Sequence, residues 1–184
     1  MEKAEHGALL ASKLTELLQR PCGAPLAAEA WRVHRLLAGI PAYGDDFLSG
    51  VLPFEYRLDI DALAWNQGCY IGQEVLSRLD SYDKVARLLM GLEADAAVAS
   101  VLAQAAGPIK ISSEARPVGR LLSFAPAAEQ GVVGLAVVGR AYAQDGQKVV
   151  LTGYDAAQVA LPQVEARLRH RPFWQARTKA SVDA

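Results

Sequence analysis

The chain has 184 residues, 52% of them apolar, and a formal net charge of −1, which is enough hydrocarbon for one domain, or a small one with an extension, around a proper core. That balance excludes global disorder and gives no general attraction to nucleic acid or to an anionic membrane surface. Two cysteines, Cys22 and Cys69, are too few for a disulfide framework, and with no secretory leader and no apolar run of spanning length the expected setting is the cytosol or an organelle matrix.

Residues 8–20 read as an amphipathic helix, with Leu9, Leu10, Leu14, Leu17 and Leu18 along one side and Pro21-Cys22-Gly23 ending it. A second helix is expected over 27–38, turning Trp31, Leu36 and Leu37 inward, with Gly39 as its stop and Pro41 barring continuation. Residues 43–58 are turn-rich, broken by Gly44-Asp45-Asp46, Ser49-Gly50 and Pro53. A short helix through Val75-Leu76-Ser77-Arg78-Leu79 carries the chain to about Asp80. From Lys84 the texture changes to strands, expected at 85–92, 108–112, 118–124, 131–143, 148–153 and 158–164. The alanine-rich stretch 94–107 reads as a loop with a helical turn, and Asp145-Gly146 is a hairpin signal. The expected fold class is therefore α+β, with a mixed helical front (1–83) and a small β-barrel or sandwich at the back (84–166). A basic tail (167–184) interleaves Arg167, Arg169, Arg171 and Lys179 with Phe173 and Trp174. Docking of its aromatics on the body is the expectation; direct nucleic-acid binding is not.

The run Gly68-Cys69-Tyr70-Ile71-Gly72-Gln73-Glu74 fits neither the helical nor the strand period and reads as a shaped loop. Glycines at both ends permit a sharp turn or a close approach. Gly72 before Gln73-Glu74 suggests a helix start, where a carboxylate suits the positive end of the dipole. A thiol beside such a start tends towards a lower pKa and higher reactivity. The plain alternative is that Cys69 is a small buried hydrophobe and Gln73-Glu74 an ordinary capping pair.

This run resembles the signature K-G-C-Y-x-G-Q-E of the YgfZ family, folate-binding relatives of the glycine-cleavage T protein (aminomethyltransferase) linked to iron–sulfur cluster assembly or repair and, through it, to tRNA modification. Upstream, Arg35 to Pro41 is similar to that family's R-x-x-x-G-x-P, and Leu52-Pro53-Phe54-Glu55 to its L-P-x-E. Arg78 stands where G-Q-E-x-x-x-R places an arginine. Val118 to Ser123 and Val133 to Val138 resemble paired strands of its C-terminal barrel. The likeness covers roughly residues 8–165 and is to the C-terminal portion of the family, so residues 1–83 would be a partial folate-binding domain. It implies Cys69 as a reactive thiol on a loop fixed by Glu74 and Arg78, in an accessory protein and not a turnover enzyme. The implied partners are iron–sulfur assembly machinery or its clients. The implied cofactor is tetrahydrofolate, with Arg35, Arg78 and Arg87 as candidates for its anionic tail and Tyr43, Tyr70 and Trp65 for stacking. Each of these has an equal structural reading, as an ion pair or as core.

Two departures bear on this. Gln67 replaces the family's lysine, removing a cation beside the thiol. Aminomethyltransferases resemble R-L-E-A-G in the second helix, and their pterin-holding glutamate corresponds to Leu37 here, which accepts no hydrogen bond. An aminomethyltransferase is the runner-up reading, and a non-catalytic interaction module in the form of a homodimer is the third. The scattered His6, His34 and His170 and the two distant cysteines give no zinc spacing, and no dinucleotide loop, phosphate loop or nucleophile elbow is present.

Overall fold

The computed structural model describes residues 26–58, 68, 70–82 and 85–170. The chain divides into two units, 1–31 and 32–184. In the first, the described residues 26–31 open helix α1 (Ala28–Ala38), and Trp31, expected inward, is half exposed. The helix expected over 8–20 lies outside the described residues.

The second unit owes its architecture to one strand that is apolar at nearly every position. Strand β4 (Gly131–Gly139) is buried from Val132 to Val138, so both of its faces must be covered. On one face Val132, Ala136 and Val138 join Met90, Leu92, Ile111, Leu151 and Leu168 in an interior cluster. On the other, Val133, Leu135 and Val137 pack with Leu36, Tyr56 and Leu89. Burying each such leucine or valine contributes roughly 1.5–3 kcal/mol.

The first face is the inside of a closed antiparallel barrel, in the order β1-β4-β3-β2-β5-β6. Its other strands are β1 (Arg87–Ala94), β2 (Lys110–Ser113), β3 (Arg116–Ala127), β5 (Lys148–Thr152) and β6 (Val164–Arg169). Closure leaves no free edge. The β3–β4 pairing expected from the sequence is present, with Arg120 opposite Val137 and Leu121 opposite Ala136. At Gly119 the two strands come so close that a Cβ would sit 2.4 Å from the Val137 carbonyl oxygen. The expected helical turn in the alanine-rich stretch is α3 (Val98–Leu102). The second face of β4 is covered by α1 and by a 3-10 turn, Pro53–Tyr56.

Two expectations fail. The last strand lies at Val164–Arg169 and not over 158–164, where the described structure has only an isolated bridge between Tyr154 and Ala160. Ala166 and Leu168 point inward while Glu165 and Arg167 face solvent, and that density of charge hides a period-2 strand inside a stretch that reads as tail. Asp145-Gly146 does make a tight turn, but β5 pairs with β2 and β6, not with β4. The turn is instead tied to the end of β6, through Gly146 N–H to the Leu168 carbonyl at 2.8 Å and His170 N–H to Asp145 at 2.8 Å.

Candidate functional site

The loop singled out in the sequence is described at Gly68 and from Tyr70 onward; Cys69, Trp65 and Gln67 lie outside the described residues. Gly68 is exposed, Tyr70 is 37% exposed, and Ile71 stands wholly in solvent at 105%. Gly72 takes φ +93°, with nothing within 4 Å of where a Cβ would sit, so this position requires glycine for its conformation and not for space. Gln73 N–H donates to the Tyr70 carbonyl at 3.2 Å, and helix α2 (Gln73–Tyr82) begins there. Leu76 is buried, while Val75 stays half exposed. Glu74 in the first turn accepts a 2.6 Å hydrogen bond from Arg78, one turn on, with both side chains more than two-thirds exposed. A solvated pair at that spacing is worth about 0.3–0.5 kcal/mol. It steadies the helix start and leaves both groups open to a partner.

A second cluster is buried. Helix α1 ends at Gly39, whose N–H, with that of Ile40, caps the Arg35 carbonyl at 2.9 Å. That ending aims the Arg35 side chain into the following loop, where Nη1 meets Asp46 Oδ2 at 2.6 Å and Nη2 meets Asp45 at 3.3 Å. Arg35 is 4% exposed and Asp46 0%. Asp46 Oδ2 also accepts from Ala42 N–H at 2.8 Å, and its Oδ1 has no hydrogen-bond partner. Tyr56 from the 3-10 turn donates to the Asp46 carbonyl at 2.9 Å and accepts from Leu48 N–H at 2.6 Å. Burial pushes its phenol above the ordinary value. Glu55, also buried, accepts from Leu52 N–H at 2.9 Å and from Arg87 Nε at 2.8 Å, so the turn is tied to the start of β1. The hydrogen bond to Glu55 raises the Arg87 guanidinium pKa further.

The Arg35 and Arg87 guanidiniums are committed to carboxylates within the fold, whereas Arg78 pairs with Glu74 in solvent. Tyr43 is 95% exposed at the loop tip, its ring 6.5 Å from Phe47. Leu37 packs against the outer apolar cluster and supplies no acceptor for a pterin. An apolar slot with directed polar groups and a cation is what folate calls for, and the three arginines named for it each have a carboxylate partner within the chain. A hollow of about 360 Å³ does open on the barrel wall, but it is lined by Glu93, Asp95, Lys148, Glu165 and Arg167, a set of charges unsuited to a flat aromatic ligand. No group of His, Cys, Asp or Glu among the described residues could hold a metal ion. Sequence reasoning named Glu55 only within a motif and Asp46 only as a turn residue. The usable signal was spacing: Glu55 three residues after Leu52 is the interval at which a carboxylate reaches back to a turn's first N–H.

No protein-family model matches the sequence, and no curated protein matches it. Among solved structures, glycine cleavage system aminomethyltransferase T from Bartonella henselae superposes with a TM-score of 0.58 at 19% identity, over 89% of this chain and 44% of that one. The fold is T-protein-like. At this identity the likeness concerns the fold alone, and the chain spans less than half the length of that T protein. Within the T-protein-like fold, the Arg35–Asp46 and Glu55–Arg87 pairs act as struts between α1, the turn-rich loop and β1.

Proposed function

We propose that this chain is an accessory protein of iron–sulfur cluster assembly or repair, built on a T-protein-like fold, that works through loop 68–74 with Cys69 as its reactive atom. Any effect on tRNA modification is then indirect, through enzymes that need clusters. The observation that carries the reading is the exposure of the loop's flanks: Ile71 stands entirely in water between Tyr70 and a left-handed Gly72. An apolar side chain held out in this way suits contact with another protein better than internal packing. In this reading Glu74 and Arg78 hold the helix start, and the cluster or its iron is cargo, met transiently by a thiolate with ligands from the partner completing the set.

Alkylation of the native protein tests the assignment together with complementation. Cys69 is expected to react as fast as an exposed thiol, and Cys69→Ala to fail to restore cells that lack the protein. A slow thiol with full rescue ends the proposal. The second reading, a tetrahydrofolate-dependent aminomethyltransferase, draws on the T-protein neighbour and is opposed by Leu37 and by the committed Arg35. Saturable tetrahydrofolate binding would favour it. The third reading, a non-catalytic interaction module that forms a homodimer, is checked by sedimentation.

A further inference from the structure

The strand register arranges charge on the outer wall of the barrel in an unusual way. One transverse row runs Leu89–Val137–Arg120–Lys110–Thr152, each residue opposite the next on the neighbouring strand. Its first two members lie under the apolar cover formed by the front of the unit. Beyond that rim the row becomes solvent-facing: Arg120 and Lys110 are exposed, and Thr152 is half-buried. Two like charges directly opposite each other on adjacent strands are destabilising.

A second such pair shows how the fold ordinarily offsets this. Lys148 lies opposite Arg167, but the two share a hollow with Asp95, Glu165 and Glu93, the last of these opposite Arg167 and bonded to Arg169 at 3.0 Å. Among the described residues the Lys110–Arg120 pair has no acidic residue at an opposite or diagonal position. The residues opposite it are Val137 and Thr152, and those at diagonal register positions are Leu135, Gly139, Val118, Leu122, Val150 and Tyr154. None is acidic.

We infer that Arg120, Lys110 and Thr152 form a docking row for an acidic segment of a partner polypeptide. Strands stand about 4.8 Å apart, so a guanidinium, an ammonium and a hydroxyl, all hydrogen-bond donors, span about 10 Å. That interval suits two or three carboxylates on an extended chain, the first held in a two-point arginine contact. Apolar cover at one end of the row gives such a segment a rim to rest against. Two cations neutralise too few phosphates to hold a long polyanion such as RNA, whose affinity grows with the number of phosphate contacts. The inference uses no property of Cys69 and stands apart from the function proposed above.

Fluorescence anisotropy with a labelled oligo-glutamate peptide and the full chain provides the test, with single-stranded RNA of similar length as a second arm. Saturable peptide binding that weakens as salt rises is expected, with RNA bound more weakly. Lys110→Thr combined with Arg120→Thr should weaken peptide binding by about tenfold or more and raise the melting temperature by roughly 1–2 °C through relief of the like-charge pair. Lys148→Thr combined with Arg167→Thr should change binding less than about twofold, since those cations already have acidic neighbours. Absence of saturable peptide binding overturns the inference, as do equal losses in the two double variants or tighter binding of RNA.

Discussion

Replacing Arg35 with methionine keeps most of the length of the side chain and removes its charge, leaving Asp46 with no cation on Oδ2. Both groups are essentially sealed from solvent, at 4% and 0% exposure. The remaining carboxylate would keep one hydrogen bond, from Ala42 N–H, and its Oδ1 already has none. Breaking a buried pair on one side costs about 3–5 kcal/mol, because an uncompensated charge stays behind. The poor remaining solvation of Asp46 puts Arg35→Met in the upper half of that range. Adding Asp46→Leu removes the stranded charge at the expense of the Ala42 N–H acceptor, a loss of about 1–3 kcal/mol. The double variant is therefore expected to be more stable than Arg35→Met alone by roughly 1–2 kcal/mol. Urea denaturation of all three chains measures this from the midpoints and slopes. A cost below about 1 kcal/mol for Arg35→Met would refute the reasoning. It would return Arg35 to the role of a ligand contact, whose removal weakens binding and leaves the fold alone.

Three other outcomes follow from the same geometry. Gly119→Ala should destabilise by about 1–3 kcal/mol or more in the same urea assay, because its Cβ would lie 2.4 Å from a backbone oxygen that cannot rotate away. Gly72→Ala meets no neighbour but forces a side chain onto φ +93°, so a loss of about 1–2 kcal/mol confined to the loop and start of α2 is expected, read by hydrogen exchange. Tyr56, whose folded pKa is raised by burial above the ordinary 10.0, contributes stability that is complete below pH about 10 and is lost as pH rises through its folded pKa, since only the unfolded chain ionises readily. Urea midpoints should fall above pH about 10 in the native chain and fall less in Tyr56→Phe; equal slopes in the two would sink that assignment.

How much was legible in the sequence depended on whether a pattern was local. Helix α1 was readable from its spacing and from Gly39-Ile40-Pro41, and it ends where expected. The strands β3 and β4 were readable from their apolar pattern, and their pairing from the likeness of residues 118–123 and 133–138 to paired strands of a known barrel. Strand β6 was missed because charged residues on its solvent face outnumber the two inward positions, Ala166 and Leu168. The Asp145-Gly146 turn was assigned the wrong neighbours because a turn residue specifies a bend, while strand order in a barrel is set by contacts far apart in sequence. An ion pair was one of the two readings of Arg35 and Arg87, but their partners were not legible for the same reason. Arg35 and Asp46 are eleven positions apart, and Glu55 and Arg87 thirty-two, so no window short enough to carry a period contains either pair.

Strand β4 explains why a front of helices and turns stands with a barrel at all. A six-stranded barrel with one polar outer wall could close over its interior cluster without help. This one places Val133, Leu135 and Val137 on the outside, where Leu36 and Tyr56 from the front and Leu89 from β1 meet them. The outer cluster is thus assembled from both sides of residue 83, and the same segment that covers it also holds the Arg35–Asp46 and Glu55–Arg87 pairs. Burial of β4's second face holds α1 from Val33 onward and the 3-10 turn, the ion pairs fix the turn-rich loop between them, and Leu76 is buried in the helix that begins at Gln73. Ile71 thus stands in water five residues before the buried Leu76, and an exposed side chain next to a packed helix is the arrangement the proposed partner contact calls for.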